Sequence, residues 1–207
     1  MIFHETSLAD VRVIEAEPHG DERGFFARTM CREEFTRAGL NADFVQQNVS
    51  VSMQAGTLRG MHFQRDPHAE DKFIRCLRGA IVDVIVDLRR GSPSFMRHEA
   101  FELSAANRRM LYVPKGFAHG FQTLADETEV TYLVTAAYAP GAEGGLRYSD
   151  PRLGISWPLP VSTISDKDAA WPLLETDEPH LFAHGAMPGA DPFLTAKTAK
   201  EVPHQMI

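Results

Sequence analysis

Cysteine is scarce in this chain: 207 residues contain only Cys31 and Cys76, with no Cys-x-x-Cys spacing. No disulfide framework or thiolate metal site can be drawn from two such residues, and reduced, partly buried thiols are expected. Long apolar runs are missing as well, and without about 18 consecutive apolar residues no helix spans a bilayer. The stretch Met1 to Asp10 has neither a basic region nor an apolar core, so no export signal is expected and a cytoplasmic, membrane-free protein is. Basic charge is short too, with 21 Lys and Arg against 28 Asp and Glu for a net charge of -7. Without a clustered basic excess the phosphates of a nucleic acid are not neutralised, which argues against that partner. A small anionic ligand held by a few local basic residues remains compatible with the balance. Internal repeats and low-complexity tracts are absent.

What is present is β texture. With 43% hydrophobic residues in 207, the chain can bury a substantial single core. We read residues 1–174 as one domain and 175–207, rich in proline, as an extension of it. Alternating apolar and polar residues predict strands over 8–17, 43–52, 57–64, 73–77, 80–88, 97–103, 110–113, 120–124 and 130–138, with a turn cluster at 18–24 followed by a short extended stretch, Phe25 to Arg28. One short helix is predicted over Cys31 to Ala38, closed by Gly39, and another over Leu194 to Glu201 in the tail. His180, His184 and His204 lack ligand spacing and read as surface residues. Many short strands at close spacing indicate an all-β sandwich or barrel.

The chemistry centres on Gly56-Thr-Leu-Arg-Gly-Met-His-Phe-Gln64, a strand carrying Arg59 and His62. Strict alternation sends residues three apart to opposite faces, so the two share a site only if the strand is kinked or bulged. Gly60, between them, permits that, and irregular backbone is expected there. In Ile81-Val-Asp-Val-Ile-Val-Asp-Leu88, alternation puts Asp83 on the face of Ile81 and Ile85. That face is either inward or solvated at a sheet edge.

Two segments resemble the paired metal motifs of cupin jelly-roll barrels: Gly60-Met-His-Phe-Gln64 and Pro114-Lys-Gly-Phe-Ala-His119. Gln64 stands where a second histidine is usual, and no glutamate follows on the same strand. His62 and His119 alone fall short of the three ligands of a catalytic metal, so a cupin barrel with no metal and no cofactor is implied.

A closer resemblance is to the dTDP-4-dehydrorhamnose 3,5-epimerase family. It rests on Asp21-Glu-Arg-Gly-Phe-Phe26, Leu58-Arg-Gly-Met-His-Phe-Gln64, Lys72, Val82-Asp-Val-Ile-Val-Asp-Leu-Arg89 and Ser92-Pro-Ser-Phe95. Pro114-Lys-Gly-Phe-Ala-His-Gly-Phe121, Ile155-Ser-Trp-Pro158 and Ser165-Asp-Lys-Asp168 follow in the same order. The resemblance implies a cofactor-independent epimerase of a nucleotide-diphosphate 4-keto sugar. The ketone acidifies the C–H bonds at C3 and C5, so a base, an opposing acid and a stabiliser of the enolate suffice. It assigns His62 as base, Asp168 as its partner, Tyr132 as acid and Lys72 as electrostatic partner of the oxyanion, with Asp83 holding Lys72. Arg59 and His119 line the sugar and phosphate region, Arg23 adds positive charge, and Tyr138 stacks near the base. Phe26 reaches in from the partner of a homodimer, and Gln46, Gln47, Asn48, Glu143 and Lys167 complete the substrate-binding set.

The chain departs from that pattern in four places. Arg28 replaces a glutamate that contacts the nucleotide base, Gln47 an aspartate, Val49 a histidine and Tyr148 a tryptophan. The catalytic set is kept and the base-recognition set altered, so the nucleotide is left open. Epimerisation at one carbon only, or sugar-nucleotide binding without catalysis, are the alternative readings.

Overall fold

Period-two alternation folds into two facing antiparallel sheets, in a computed structural model that describes residues 1–174 and the strand at 182–183. In chain order the elements are β1 (Ile2–Glu5), β2 (Arg12–Glu15), β3 (His19–Asp21), β4 (Gly24–Phe26), α1 (Arg32–Arg37), β5 (Gln46–Ser52), β6 (Leu58–Gln64) and β7 (Lys72–Arg78). They continue with β8 (Ala80–Asp87), β9 (Arg89–Arg90), β10 (His98–Ser104), β11 (Met110–Val113), β12 (Phe117–Thr123), β13 (Thr128–Val134), β14 (Glu143–Gly145), α2 (Asp166–Ala169) and β15 (Phe182–Ala183). The larger sheet is ordered β1-β2-β11-β7-β13-β5 and the smaller β10-β8-β12-β6-β14. Crossovers between sequence-distant strands make this the cupin-type jelly roll, its two sheets sharing one inner core.

Three apolar layers hold it together. Between the sheets, Ile74, Cys76, Leu111 and Val130 of one meet Ile81, Ile85, Phe117 and Phe121 of the other. Met61, Phe63, Val84 and Val86 cover the outer face of the smaller sheet against Leu146 and Leu153. On the outer face of the larger sheet α1 contributes Phe35, fully buried among Ile14, Phe73, Met110 and Tyr112. Its ring meets Phe73 edge-on at 5.0 Å, and burying one such side chain contributes about 2–3 kcal/mol. Cys76 is buried and its thiol pushed up to about 11 by that burial, while both cysteines are unbridged.

Three elements differ from the sequence expectation. The turn cluster at 18–24 is a hairpin, β3–β4, closed by Glu22 and Arg23 with the Arg23 N–H donating to Asp21 Oδ1 at 2.9 Å. β12 starts at Phe117, directly after Gly116 with its left-handed φ of 91°. β13 ends at Val134 rather than 138, because beyond it side chains replace the ladder: Gln46 Oε1 accepts from the Tyr138 N–H and Gln64 Oε1 from the Ala139 N–H. The helix expected over Leu194 to Glu201, and His180, His184 and His204, lie outside the described residues.

Candidate active site

Cross-strand partners share a face, so the register shows what points into the barrel. Ile85 and Phe121 belong to the inner core, Ile85 pairs with His119, and Phe121 pairs with Asp83 and Arg59. His119 in turn pairs with His62. Arg59 and His62, three apart on β6, therefore oppose residues only two apart on β12, and the extra residue is the bulge that alternation required. Gly60 sits inside it with φ 128°, and a Cβ there would lie 2.5 Å from Gly120 Cα. On the facing sheet Tyr132 pairs with Ile74 and Asn48, and Val134 with Lys72 and Gln46, so these too face inward. At this end of the barrel the inner positions are polar, and the His62 side chain is 31% exposed where its apolar counterparts are sealed.

Asp168 organises the smaller-sheet side. Its backbone N–H is capped by Ser165 Oγ at the start of α2, Oδ2 accepts from the Gly60 N–H at 3.1 Å, and Oδ1 lies 2.7 Å from His62 Nε2. One carboxylate thus fixes both the bulged peptide and the imidazole. Burial pushes the Asp168 carboxyl up, but the His62 hydrogen bond and charge, the Gly60 N–H and Lys167 outweigh it and hold it below the usual carboxylate value. An ionised carboxylate only accepts, so Nε2 carries the hydrogen and Nδ1 is left as the basic nitrogen. Trp171 stands edge-on to the His62 ring at 6.3 Å and packs over Gly145, where a Cβ would lie 2.2 Å from the indole. At the mouth, Lys167 Nζ donates to Glu143 at 2.7 Å and the Tyr138 hydroxyl donates to the same carboxylate at 3.1 Å.

Across the barrel, burial raises the Tyr132 pKa, the charge of Glu70 adds to that and Arg59 opposes it, so the phenol stays protonated. Lys72 Nζ lies 6.0 Å from the centre of the Tyr132 ring and is ion-paired with Glu70. Arg59 is anchored by Ser52 Oγ and the Val51 carbonyl, both at 3.1 Å. A carboxylate-backed imidazole on one sheet and a protonated phenol on the other can take a proton from one face of a substrate and return one to the opposite face.

Three placements differ from the expectation. Asp83 is fully buried on β8, inside the sheet, and its Oδ1 lies 2.7 Å from His119 Nε2 without the alignment of a hydrogen bond. It lies against His119 rather than Lys72, whose ammonium is paired with Glu70. Gln47 points to the outer face of β5, where its amide donates to Thr131 Oγ1 at 3.1 Å, away from Gln46 and Asn48. Arg23 and Arg28 do not join the cavity, since Arg23 is bound to Asp21 and Arg28 pairs with Glu34 of α1 at 2.6 Å, while Phe26, expected to act from a partner subunit, is 75% exposed. His62 and His119, adjacent across β6 and β12, each lie 2.7 Å from a separate carboxylate, and among the described residues no group of three or more His, Cys, Asp or Glu is placed to hold a metal ion.

Glu70 and Trp171 were not anticipated. Glu70 was within reach of the sequence, since it lies two residues before Lys72 and so on the same face of an extended chain. Nothing near Trp171 in sequence announces its contact with His62.

A family model described as dTDP-4-dehydrorhamnose 3,5-epimerase matches residues 5–176. The dTDP-4-dehydrorhamnose 3,5-epimerase of Sinorhizobium fredii is 43% identical over 175 residues, covering 84% of this chain and 90% of that protein. The crystal structure of dTDP-4-dehydrorhamnose 3,5-epimerase from Bacillus anthracis with TDP and PPi bound is similar with a TM-score of 0.81 and 45% identity, over 84% of this chain and 99% of that one. The dTDP-6-deoxy-D-glucose-3,5-epimerase of Legionella pneumophila, in complex with dTDP-4-keto-L-rhamnose, gives a TM-score of 0.81 at 38% identity over 88% and 97% of the two chains.

Proposed function

The chain belongs to the dTDP-4-dehydrorhamnose 3,5-epimerase family, and from that premise we propose that it inverts C3 and C5 of a dTDP-linked 4-keto-6-deoxy sugar in dTDP-rhamnose synthesis, by proton abstraction and return. The observation that carries the reading is the His62–Asp168 pair at 2.7 Å on one inner face, with Tyr132 on the other. His62 removes the proton beside the ketone. Asp168, held ionised, stabilises the imidazolium that forms, as a carboxylate does behind any histidine base. The enolate develops negative charge on the former ketone oxygen, and Lys72 supplies the positive charge beside it, with His119 lining the sugar. Tyr132, kept neutral by its surroundings, returns a proton to the opposite face. No step in this sequence calls on a cofactor.

The nucleotide diphosphate is held at the mouth by Arg59 and Lys167, with Glu143 orienting Lys167 and Tyr138, and with Gln46 and Asn48 offering amides from β5. A homodimer belongs to the same reading. β5 is an edge strand with Val49 61% and Val51 50% exposed, apolar surface that a second copy would cover. The hairpin β3–β4 would then present Arg23, Phe26 and Arg28 to the partner's cavity, where Arg28 bears on the choice of base. Among the described residues no helix is long and apolar enough to cross a membrane, and a cytoplasmic setting is part of the proposal.

Incubation with dTDP-4-keto-6-deoxyglucose in deuterated water tests it. The expected product is inverted and deuterated at both C3 and C5. Label at one carbon alone would make this a monoepimerase, and tight binding with no label at either carbon would overturn the enzyme reading.

A further inference from the structure

We propose that Glu70 is a positioning residue for the proton-returning side of this site, fixing Lys72 against the face of Tyr132; the inference rests on Tyr132 acting as the acid. Glu70 lies between β6 and β7 with its side chain only 8% exposed, beside a Lys72 side chain that is 11% exposed. Its two oxygens are divided: Oε1 takes the Lys72 ammonium, and Oε2 accepts from Gln64 Nε2 at 2.9 Å. Gln64 is itself locked, donating also to the His68 carbonyl at 3.0 Å and accepting from the Ala139 N–H at 2.7 Å. At the position where a metal-binding barrel would present a second histidine, this chain has an amide that tethers a carboxylate.

The consequence falls on Lys72. A lysine has four rotatable carbons and a compact charge, so its ammonium goes where its partner holds it. Here the partner is fixed from β6, and the ammonium is held 6.0 Å from the Tyr132 ring centre. One of its three N–H groups is used by Glu70, which leaves two for a substrate oxygen. Glu70 also opposes ionisation of the phenol, together with burial. Arg59 on β6 is the other charge that bears on the phenol, and the remaining charged or titratable groups on the inner faces are Lys72 on β7, His62 on β6 with Asp168 behind it, His119 on β12, Asp83 on β8 and Glu143 on β14. Asn48 and Gln46 of β5 add only neutral amides.

Glu70→Gln keeps an acceptor for Gln64 and removes the charge. In deuterated water the variant is expected to wash label into the substrate more slowly than wild type, because Lys72 also stabilises the enolate, while inverted product falls roughly tenfold further than label uptake. The alkaline limb of its kcat/KM profile should move to lower pH, since tyrosinate loses a neighbour that disfavours it and gains an unpaired ammonium. Glu70→Asp retains the charge but is too short to span Gln64 and Lys72, so its kcat should fall with the alkaline limb unmoved. Product formation at the wild-type rate with an unmoved limb in Glu70→Gln overturns the proposal. Equal loss of exchange and product does so as well, because a merely structural defect moves both together. If Glu70→Gln does not fold, undiminished kcat in Glu70→Asp is the contrary result. Tyr132→Phe keeps the two readings apart: full inversion by that variant removes Tyr132 as acid, whereas loss of inversion there with a wild-type Glu70→Gln removes Glu70 alone.

Discussion

Replacing His62 by alanine is expected to lower deuterium exchange at C3 and C5 about a thousandfold or more, the upper range for removing a positioned general base. Binding of dTDP, followed by calorimetry, should stay within about twofold of wild type, because the groups at the mouth do not depend on the imidazole. Asp168 is no replacement. It is nearly buried behind His62, and its carboxylate is committed to the Gly60 N–H. Loss of His62 also removes the hydrogen bond and charge that counter burial at Asp168. Exchange retained in a folded His62→Ala protein would remove His62 from its role.

The second large effect is expected at Gly60. Its φ of 128° is open to glycine and strained for any residue with a Cβ. A methyl group would also lie 2.5 Å from Gly120 Cα and 2.9 Å from the His119 carbonyl, both backbone atoms without freedom to move aside. Gly120 repeats the constraint from the other strand, where a Cβ would lie 2.6 Å from Met61 Sδ and 2.9 Å from the Arg59 carbonyl. Glycine on both strands lets β6 and β12 close at the bulge. Gly60→Ala should therefore cost about 3 kcal/mol or more, and lower Tm by roughly 10 °C at fixed protein concentration. It should depress activity in the surviving folded fraction as well, because relief of the clash displaces Arg59 and His62 relative to each other. A Gly60→Ala protein with unchanged Tm would show that the close approach is not needed.

These two residues illustrate what the sequence discloses. Arg59 and His62 at a three-residue spacing pose a parity conflict, and the glycine between them indicates where the chain resolves it. The one-residue register shift between β6 and β12 is the resolution. Alternation likewise puts Asp83 on the face of Ile81 and Ile85, and it is indeed inward. Which side chain Asp83 meets depends on β12 lying beside β8, a tertiary pairing that no local pattern encodes, and so its neighbour is His119 rather than Lys72. The hairpin β3–β4 was half legible: Phe25 to Arg28 reads as extended, but three-residue strands are too short to show a period and to pair it with His19 to Asp21. Motif resemblance placed Gln46, Gln47 and Asn48 together, whereas a strand must send the middle one to the opposite face.

The account turns on a site with two sides, a base on one sheet and an acid on the other. Tyr132→Phe, followed in deuterated water for both label and stereochemistry, separates the two. The variant should take up deuterium beside the ketone while returning substrate of the original configuration, with inverted product reduced about a hundredfold. Inverted product at the wild-type rate would contradict the account, because the returning proton would then come from a group other than Tyr132.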